Sequence, residues 1–131
     1  MKIFGIGTDI VNVKRIEKLL NKEGMKFKKR IFTPNEIKYC NTKKNSSSYF
    51  AKRYAAKEAL SKALGTGIRK DIKFRNIEVF NDKNRKPSIQ LKGKTFDFFK
   101  KKIKNNKYNI YLSLSDDKPW AKATVIISCN K

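Results

Sequence analysis

Hydrophobic and polar positions fall into blocks along the chain, and each block predicts one secondary-structure element. Residues 2–8 form a short apolar run that predicts a buried strand. From Val13 the apolar positions follow helical spacing while basic residues occupy the other faces, which predicts a short basic amphipathic helix. The sequence TPNE, from Thr33 to Glu36, combines an N-cap threonine, a proline and a glutamate, and it predicts the start of a second short helix.

The longest helix is predicted from about Ser48 to Leu64, because this segment is rich in alanine and lysine and is followed by Gly65 as a C-terminal cap. Its expected packing stripe consists of Ala56, Ala59, Leu60 and Ala63. Residues 77–91 alternate on both sides of a polar turn, with Pro87 at a strand start, and predict a β-hairpin. An amphipathic helix is expected from about Thr95 to Lys104, followed by a closing antiparallel pair in residues 108–115 and 121–128.

These elements predict an α+β fold in which an antiparallel sheet packs against the long helix and the shorter helices. A chain of 131 residues can bury one core and is too short for two ordinary domains, so residues 1–131 are interpreted as a single domain. No apolar run reaches the ~18 residues that span a bilayer, and the N-terminus lacks a signal-peptide pattern, so a cytoplasmic location is expected. Cys40 and Cys129 are expected to be reduced thiols.

The composition restricts the chemistry because the chain contains no histidine. This absence excludes Ser-His-Asp and Cys-His catalysis and the commonest zinc ligand. Acid–base work and metal binding are left to carboxylates, lysines or water. The net charge of +22 fits compositional drift toward lysine, and it equally fits an acidic partner or a phosphate-rich ligand.

Two acids stand out as candidates. Glu58 and Lys62 lie one turn apart on the long helix, above the small residues Ala51 and Ala55, and form either a surface pair or half of a site. Asp9 follows the first strand, where it is either a helix N-cap or a carboxylate facing the long helix. One aspartate and one glutamate suit Mg²⁺, which keeps several waters and completes its shell with substrate phosphates. The GTGI segment, Gly65 to Ile68, is either a cap and turn or a phosphate contact.

The chain as a whole resembles holo-[acyl-carrier-protein] synthase, the short class of 4′-phosphopantetheinyl transferase. The two signature blocks are GIGTDIV at Gly5–Val11 and FAKRYAAKEALSKALGTGI at Phe50–Ile68, in the family's order and separation. Shorter matches are KRI, RIFTPNE, EVFND, SLSD and WAKATVII, and together they cover nearly the whole chain. The resemblance implies transfer of the 4′-phosphopantetheine arm of coenzyme A onto a serine of apo acyl carrier protein, with release of adenosine 3′,5′-bisphosphate.

Within this resemblance, Asp9 and Glu58 match the family's Mg²⁺ ligands, and Lys62 matches a lysine that contacts the same phosphates. The serine proton would pass to a carboxylate such as Glu58 or to a water held by the metal. The expected coenzyme contacts are Lys44, Lys62, Gly65, Thr66, Gly67, Lys86, Pro87, Ser115 and Asp116. Arg85 and Asn45 depart from the family pattern beside these positions, and Asp116 stands where some members carry histidine.

The resemblance also predicts the partners. Arg15 matches an arginine that pairs with the acidic carrier protein, while Phe27 and Arg30 match a neighbouring apolar and basic contact. The short class forms homotrimers with sites at subunit interfaces, so a trimer is expected, with no nucleic-acid or membrane partner. Two alternatives stay open: a basic nucleic-acid-binding module, suggested by the charge and by aromatics among the lysines, and a transferase that serves secondary-metabolism carriers.

Overall fold

The computed structural model describes residues 1–104 and 107–130, and they form an α+β fold. The strands are β1 (Lys2–Asn12), β2 (Ile77–Asn81), β3 (Pro87–Leu91), β4 (Tyr108–Asp117) and β5 (Trp120–Cys129). The helices are α1 (Val13–Glu23), α2 (Met25–Ile31), α3 (Pro34–Asn41), α4 (Ser46–Ala63) and α5 (Gly93–Ile103), with a 3₁₀ turn at Phe74–Asn76. The predicted order of elements is confirmed, and α2 is an additional helix.

Two antiparallel sheets carry the β structure. The larger sheet has the strand order β1-β5-β4, and the smaller one is the predicted hairpin of β2 and β3. Asp9 lies opposite Ala123 in the larger sheet, and Asp116 lies opposite Ala121. The register therefore places both acids on strands that flank β5.

The long helix α4 packs directly on β1, and two glycines permit this close approach. A Cβ added to Gly5 would lie 1.8 Å from the carbonyl oxygen of Ala63, and one added to Gly7 would lie 1.9 Å from that of Ala59. Since real side chains never approach so closely, only glycine fits at these two positions. The predicted stripe of Ala56, Ala59, Leu60 and Ala63 is buried, as expected. The glycines thus fix the distance between the strand that carries Asp9 and the helix that carries Glu58.

The helix ends confirm the local sequence signals. The Thr33 side chain accepts a hydrogen bond from the backbone of Glu36, and the Glu36 carboxylate accepts one from the backbone of Thr33, which completes the capping box. At the end of α4, the Gly65 N–H donates to the Lys62 carbonyl and the Thr66 N–H donates to the Ser61 carbonyl. With a φ of +83° at Gly65, this is a Schellman motif.

The prediction of a buried first strand is wrong in one respect, because β1 is an edge strand with an exposed face. Ile6 and Ile10 retain 64% and 59% of their accessible surface, while Gly7 and Val11 face the core. The strand also continues to Asn12 rather than ending at Thr8. The apolar residues of β1 therefore lie on both faces of the sheet, and helix α4 covers only one of these faces.

Cys40 and Cys129 are free and buried, and burial raises the pKa of the Cys40 thiol to about 11. Among the residues that the structure describes, no helix combines the length and apolar character needed to cross a membrane.

Candidate active site

Asp9 lies within β1 and faces the C-terminal half of α4. Its carboxylate accepts a hydrogen bond of 2.9 Å from the Lys62 ammonium, which also donates to the Thr8 carbonyl at 3.1 Å. The N-cap of α1 is Asn12, whose side chain accepts from the Lys14 N–H at 2.9 Å. The alternative in which Asp9 caps the helix is therefore wrong, and its carboxylate remains available to the site.

Glu58 reaches the same region from α4. Burial raises the pKa of its carboxyl group, and the negative charge of Asp9 raises it further. Lys62, a hydrogen bond with Tyr54 and the charge of Arg15 act in the opposite direction. The hydrogen bond from Lys62 to Asp9 places Asp9 of β1 opposite the last turns of α4, the stretch that also carries Glu58.

The donor set fits a divalent cation that needs few protein ligands. The described residues contain no cluster of three or more side chains of the metal-binding types His, Cys, Asp and Glu. Two carboxylates alone are a poor site for Zn²⁺ or Ca²⁺, whereas Mg²⁺ commonly uses one or two carboxylates together with water and phosphate oxygens. Two mutually repelling carboxylates, one already compensated by Lys62, suit the charge of such an ion. Asp9 and Glu58 would hold it.

The GTGI segment continues from this site at the end of α4. Besides the capping bonds, the Gly67 N–H donates to the Ser61 carbonyl at 3.1 Å, and the Thr66 hydroxyl donates to the Gly67 carbonyl at 2.8 Å. Space is open at Gly65 and Gly67, where an added Cβ would meet no atom within 4 Å. The cap-and-turn interpretation is therefore confirmed, and it leaves an open backbone surface just beyond Lys62.

A second concave region brings together Lys44 and Asp116. Both residues line a cavity of about 320 Å³ at the N-terminal end of α4. The Ser48 hydroxyl donates to Asp116 at 3.0 Å, and the Lys52 ammonium lies 3.4 Å from the same carboxylate. Because Asp116 is already held by these two groups, its negative charge is partly compensated at the cavity wall.

The remaining predicted coenzyme residues lie apart from this cavity in the single chain. Lys86 and Pro87 are at the turn of the hairpin, where the Lys86 N–H donates to the Asp82 side chain at 2.9 Å. Ser115 is exposed on β4 and pairs with Lys122 across the sheet. The described chain alone does not assemble these residues with Lys44 and Asp116.

The residues predicted to contact a partner behave differently from one another. Arg15 is exposed on α1, and Arg30 is exposed on α2 with a hydrogen bond of 3.1 Å to Glu23. Phe27 is only 2% exposed and packs edge-on against Phe32. A ring so buried cannot form a docking contact unless the helix moves, so Phe27 is a core residue that supports Arg30, whose guanidinium lies 5.6 Å from the ring centre.

Sequence reasoning missed several residues around these sites. Tyr54 lies one turn before Glu58, and its ring stacks on Phe74 at 5.5 Å. The helical spacing of Tyr54 and Glu58 was a usable signal. Lys118 and Trp120 line the cavity with Lys44, and only the turn between β4 and β5 brings them there.

Comparisons with known proteins identify the family of the chain. The family described as the 4′-phosphopantetheinyl transferase superfamily matches residues 5–123. A holo-[acyl-carrier-protein] synthase of Pelagibacter ubique is 45% identical over 127 residues, which covers 97% of this chain and 98% of that protein. The crystal structure of a holo-[acyl-carrier-protein] synthase from Neisseria meningitidis superimposes with a TM-score of 0.85 at 39% identity. The match covers 96% of this chain and 98% of that one.

A third similar protein carries a ligand. The holo-[acyl-carrier-protein] synthase of Helicobacter pylori, solved in complex with coenzyme A, has a TM-score of 0.80 and 38% identity, covering 94% of this chain and 99% of that one. With matches of this length and identity, the chain belongs to the 4′-phosphopantetheinyl transferase superfamily and, within it, to the holo-[acyl-carrier-protein] synthases, which are enzymes.

Proposed function

We propose that this protein transfers the 4′-phosphopantetheine moiety of coenzyme A to a serine of apo acyl carrier protein, in a Mg²⁺-dependent reaction that supports fatty acid biosynthesis. The observation that carries the proposal is the convergence of Asp9, from β1, with Glu58 and Lys62, from α4. One compact transferase domain over residues 1–131, acting in the cytoplasm, is part of the proposal.

Each group has a distinct role in this proposal. Asp9 and Glu58 would hold Mg²⁺, which when bound would supply positive charge at the pyrophosphate of coenzyme A. Lys62 is already paired with Asp9, and its exposed ammonium contacts the same phosphates. Because the chain contains no histidine, the serine proton passes to Glu58 or to water.

The coenzyme site extends over more than one copy of the chain. Lys44 and Asp116 line one cavity, whereas Ser115 is exposed outside it on β4. Gly65, Thr66 and Gly67 lie next to Lys62, and Lys86 and Pro87 belong to the separate hairpin. A homotrimer would let one subunit's residues complete its neighbour's site. We therefore assign these residues to coenzyme binding across a subunit interface.

The exposed face of the larger sheet supports this assembly. Ile6, Ile126 and Tyr111 lie side by side across β1, β5 and β4, and Ile6 and Tyr111 keep 64% and 45% of their surface in the single chain. An apolar row of this kind on an open sheet is typical of a surface that associates with another protein. In a ring of three subunits, heterologous contacts with the neighbouring copies would cover this face.

The carrier protein is expected to bind on the basic side formed by α1 and α2. Arg15 and Arg30 are exposed there, and the carriers of this family are acidic. Attraction between opposite charges raises the rate of association. Phe27 contributes by holding α2 in the core rather than by direct contact.

The test is incubation of the chain with coenzyme A, apo acyl carrier protein and Mg²⁺, followed by the intact mass of the carrier. The expected result is a mass gain equal to one phosphopantetheine moiety, with no gain for the Asp9→Asn or Glu58→Gln variants. An unmodified carrier with the wild-type chain, under conditions in which an authentic synthase modifies it, would contradict the proposed function. Parallel reactions with peptide-synthetase carriers distinguish a secondary-metabolism enzyme.

A further inference from the structure

A lysine immediately before Glu58 is buried completely, and the proposed reaction makes no use of it. The side chain of Lys57 has no exposed surface, and its ammonium group has four acceptors within hydrogen-bond distance. These are Glu36 Oε1 at 2.7 Å and the carbonyl oxygens of Ile77 at 2.7 Å, Phe74 at 2.9 Å and Ile31 at 3.0 Å. An ammonium has three N–H groups, so two of the acceptors share one proton.

The acceptors come from four different segments. Ile31 ends α2, Glu36 lies in the first turn of α3, Phe74 begins the 3₁₀ turn and Ile77 begins β2. The Glu36 carboxylate extends the network, since it also accepts from the backbone N–H groups of Thr33 and Val79, each at 2.8 Å. One charged group on α4 therefore links these four segments to the helix.

Stability alone does not account for such an arrangement. Removing a lysine and a glutamate from water is costly, and apolar residues of similar volume often stabilise a protein equally well or better. Burial accordingly lowers the pKa of Lys57, against the opposing effect of Glu36. What the polar network provides, and an apolar contact does not, is direction: each hydrogen bond fixes one backbone carbonyl relative to the helix.

The segments held by Lys57 adjoin both the surface proposed for the carrier protein and the side of α4 that carries Glu58. Ile31 directly follows Arg30, on the side proposed for the carrier protein, and the Phe74 ring stacks on Tyr54, one turn before Glu58. Lys57 and Glu58 are consecutive, so their side chains leave the helix about 100° apart, one toward α2 and α3 and the other toward Asp9. The same two residues of α4 thus set the positions of the carrier side and the carboxylate side.

We propose that Lys57 is a positioning residue, whose ammonium group holds the end of α2 at a fixed place relative to Glu58 and so aligns the docked carrier serine with the coenzyme. This inference rests on the proposed function and extends it from the reacting groups to the alignment of the two substrates. Lys57 touches neither substrate. Its loss would displace the basic surface of α2 while leaving the coenzyme contacts in place.

The test replaces both charged partners, in the variant Lys57→Met with Glu36→Gln, so that no uncompensated charge is left in the core. The expected result is a folded protein whose KM for apo acyl carrier protein rises about tenfold, while its KM for coenzyme A stays within about twofold. Affinity for the apo carrier is also measured without coenzyme A and is expected to fall by a similar factor. Val125→Ala provides a control, because Val125 is buried in β5 and takes no part in the network.

An equal change in both KM values, or the same kinetics in the control at matched stability, would show that Lys57 is merely structural and would overturn the inference. If the double variant does not fold, Lys57→Gln is measured in the same way, and an unchanged carrier KM in this folded variant would also overturn it. Absence of transfer by the wild-type chain would instead count against the proposed function. If the wild-type chain transfers normally and the Lys57 variants have the same KM for the carrier, only the positioning role of Lys57 is contradicted.

Discussion

The ammonium nitrogen of Lys62 lies 2.9 Å from a carboxylate oxygen of Asp9, although the two residues are 53 positions apart in the chain. The helical spacing pairs Lys62 with Glu58, yet the hydrogen bond is made to the strand. Lys62 therefore compensates the negative charge of Asp9, which lies on β1, while the pKa of Glu58 stays raised. The pair joins β1 to α4 one helical turn after Glu58.

Replacement of Lys62 is expected to weaken turnover without unfolding the protein. In Lys62→Met, kcat/KM for coenzyme A should fall by about 10–100-fold, because the positive charge beside the phosphates is lost. The unfolding midpoint should change little, since half of the Lys62 side chain is exposed and exposed ion pairs add little stability. Steady-state kinetics and urea unfolding check both expectations, with Lys101→Met as the control for loss of one exposed lysine. Undiminished kcat/KM would remove Lys62 from the site.

Neutralising Glu58 is expected to stabilise the metal-free protein while abolishing transfer. Burial and the charge of Asp9 raise the pKa of Glu58 in the folded state, so the ionised group disfavours folding at pH values above that pKa. Glu58→Gln should therefore have a higher Tm than the wild type at pH 7.5 without Mg²⁺. The difference should shrink as the pH falls through the raised pKa of the folded state, and it should vanish below the ordinary pKa of glutamate, where the wild-type carboxyl is protonated in both states.

Thermal unfolding over a pH series measures this effect, and Glu17→Gln serves as the charge-matched control. Both variants increase the already large positive charge of the chain, which by itself opposes folding. A stabilisation confined to Glu58→Gln would thus reflect its local environment. Equal Tm values for Glu58→Gln and the wild type at pH 7.5 would show that burial and the charge of Asp9 do not disfavour the ionised Glu58 carboxylate.

A methyl group at Gly7 should separate the strand from the helix. The new Cβ would fall 1.9 Å from the Ala59 carbonyl oxygen, so β1 must move, at a cost of about 3 kcal/mol in the free energy of unfolding. Lys122→Ala is the control, because Lys122 is exposed on β5 in the same sheet and its loss should cost only about 0.5 kcal/mol. Urea unfolding measures both values. Comparable losses in the two variants would contradict the packing role of Gly7.

A charge placed on the open sheet face should prevent trimer formation. Ile6→Lys adds a cation to the row of Ile6, Ile126 and Tyr111, where burial against a second copy would be unfavourable. Sedimentation velocity is expected to give a trimer for the wild type and a monomer for the variant. Lys101→Met, on α5, should remain trimeric. A monomeric wild-type protein, or a trimeric variant, would exclude this face as the interface.

Docking of the carrier should depend on salt through the basic surface. Arg15→Ala is expected to raise the KM for acyl carrier protein about tenfold and to reduce its dependence on ionic strength, with kcat at saturating carrier nearly unchanged. The measurement is initial rates across a salt series, with the exposed Lys94 on α5 replaced by alanine as the control. If both variants respond to salt alike, the effect comes from net charge and not from a defined docking surface.

The parts of the fold governed by local rules could be predicted from the sequence. The capping box at Thr33 and the glycine cap at Gly65 each depend on a few adjacent residues, and both occur as expected. The position of Asp9 facing the long helix was also anticipated, from the family resemblance and the pairing of a strand with a long helix. Helix α2 was missed because a seven-residue helix offers less than two turns of periodic pattern.

The features that escaped prediction depend on contacts between distant segments. Lys57 reads as one of many surface lysines, and only the folded chain brings Glu36 and three carbonyl groups around its ammonium. The exposure of Ile6 could not be seen either, since an apolar run has the same pattern whether a sheet is covered on both faces or awaits another subunit. Phe27 was assigned to a partner through the family resemblance, and its burial against Phe32 becomes visible only in the folded chain.

The central claim, that Asp9 and Glu58 hold one divalent ion beside the coenzyme, is tested most directly by crystals grown with coenzyme A and Mn²⁺ in place of Mg²⁺. Anomalous diffraction is expected to give one strong peak per site, within coordination distance of both carboxylates and of the pyrophosphate, and to lose it in Asp9→Asn. Bound coenzyme with no peak between these carboxylates, or a peak that persists in the variant, would contradict the account.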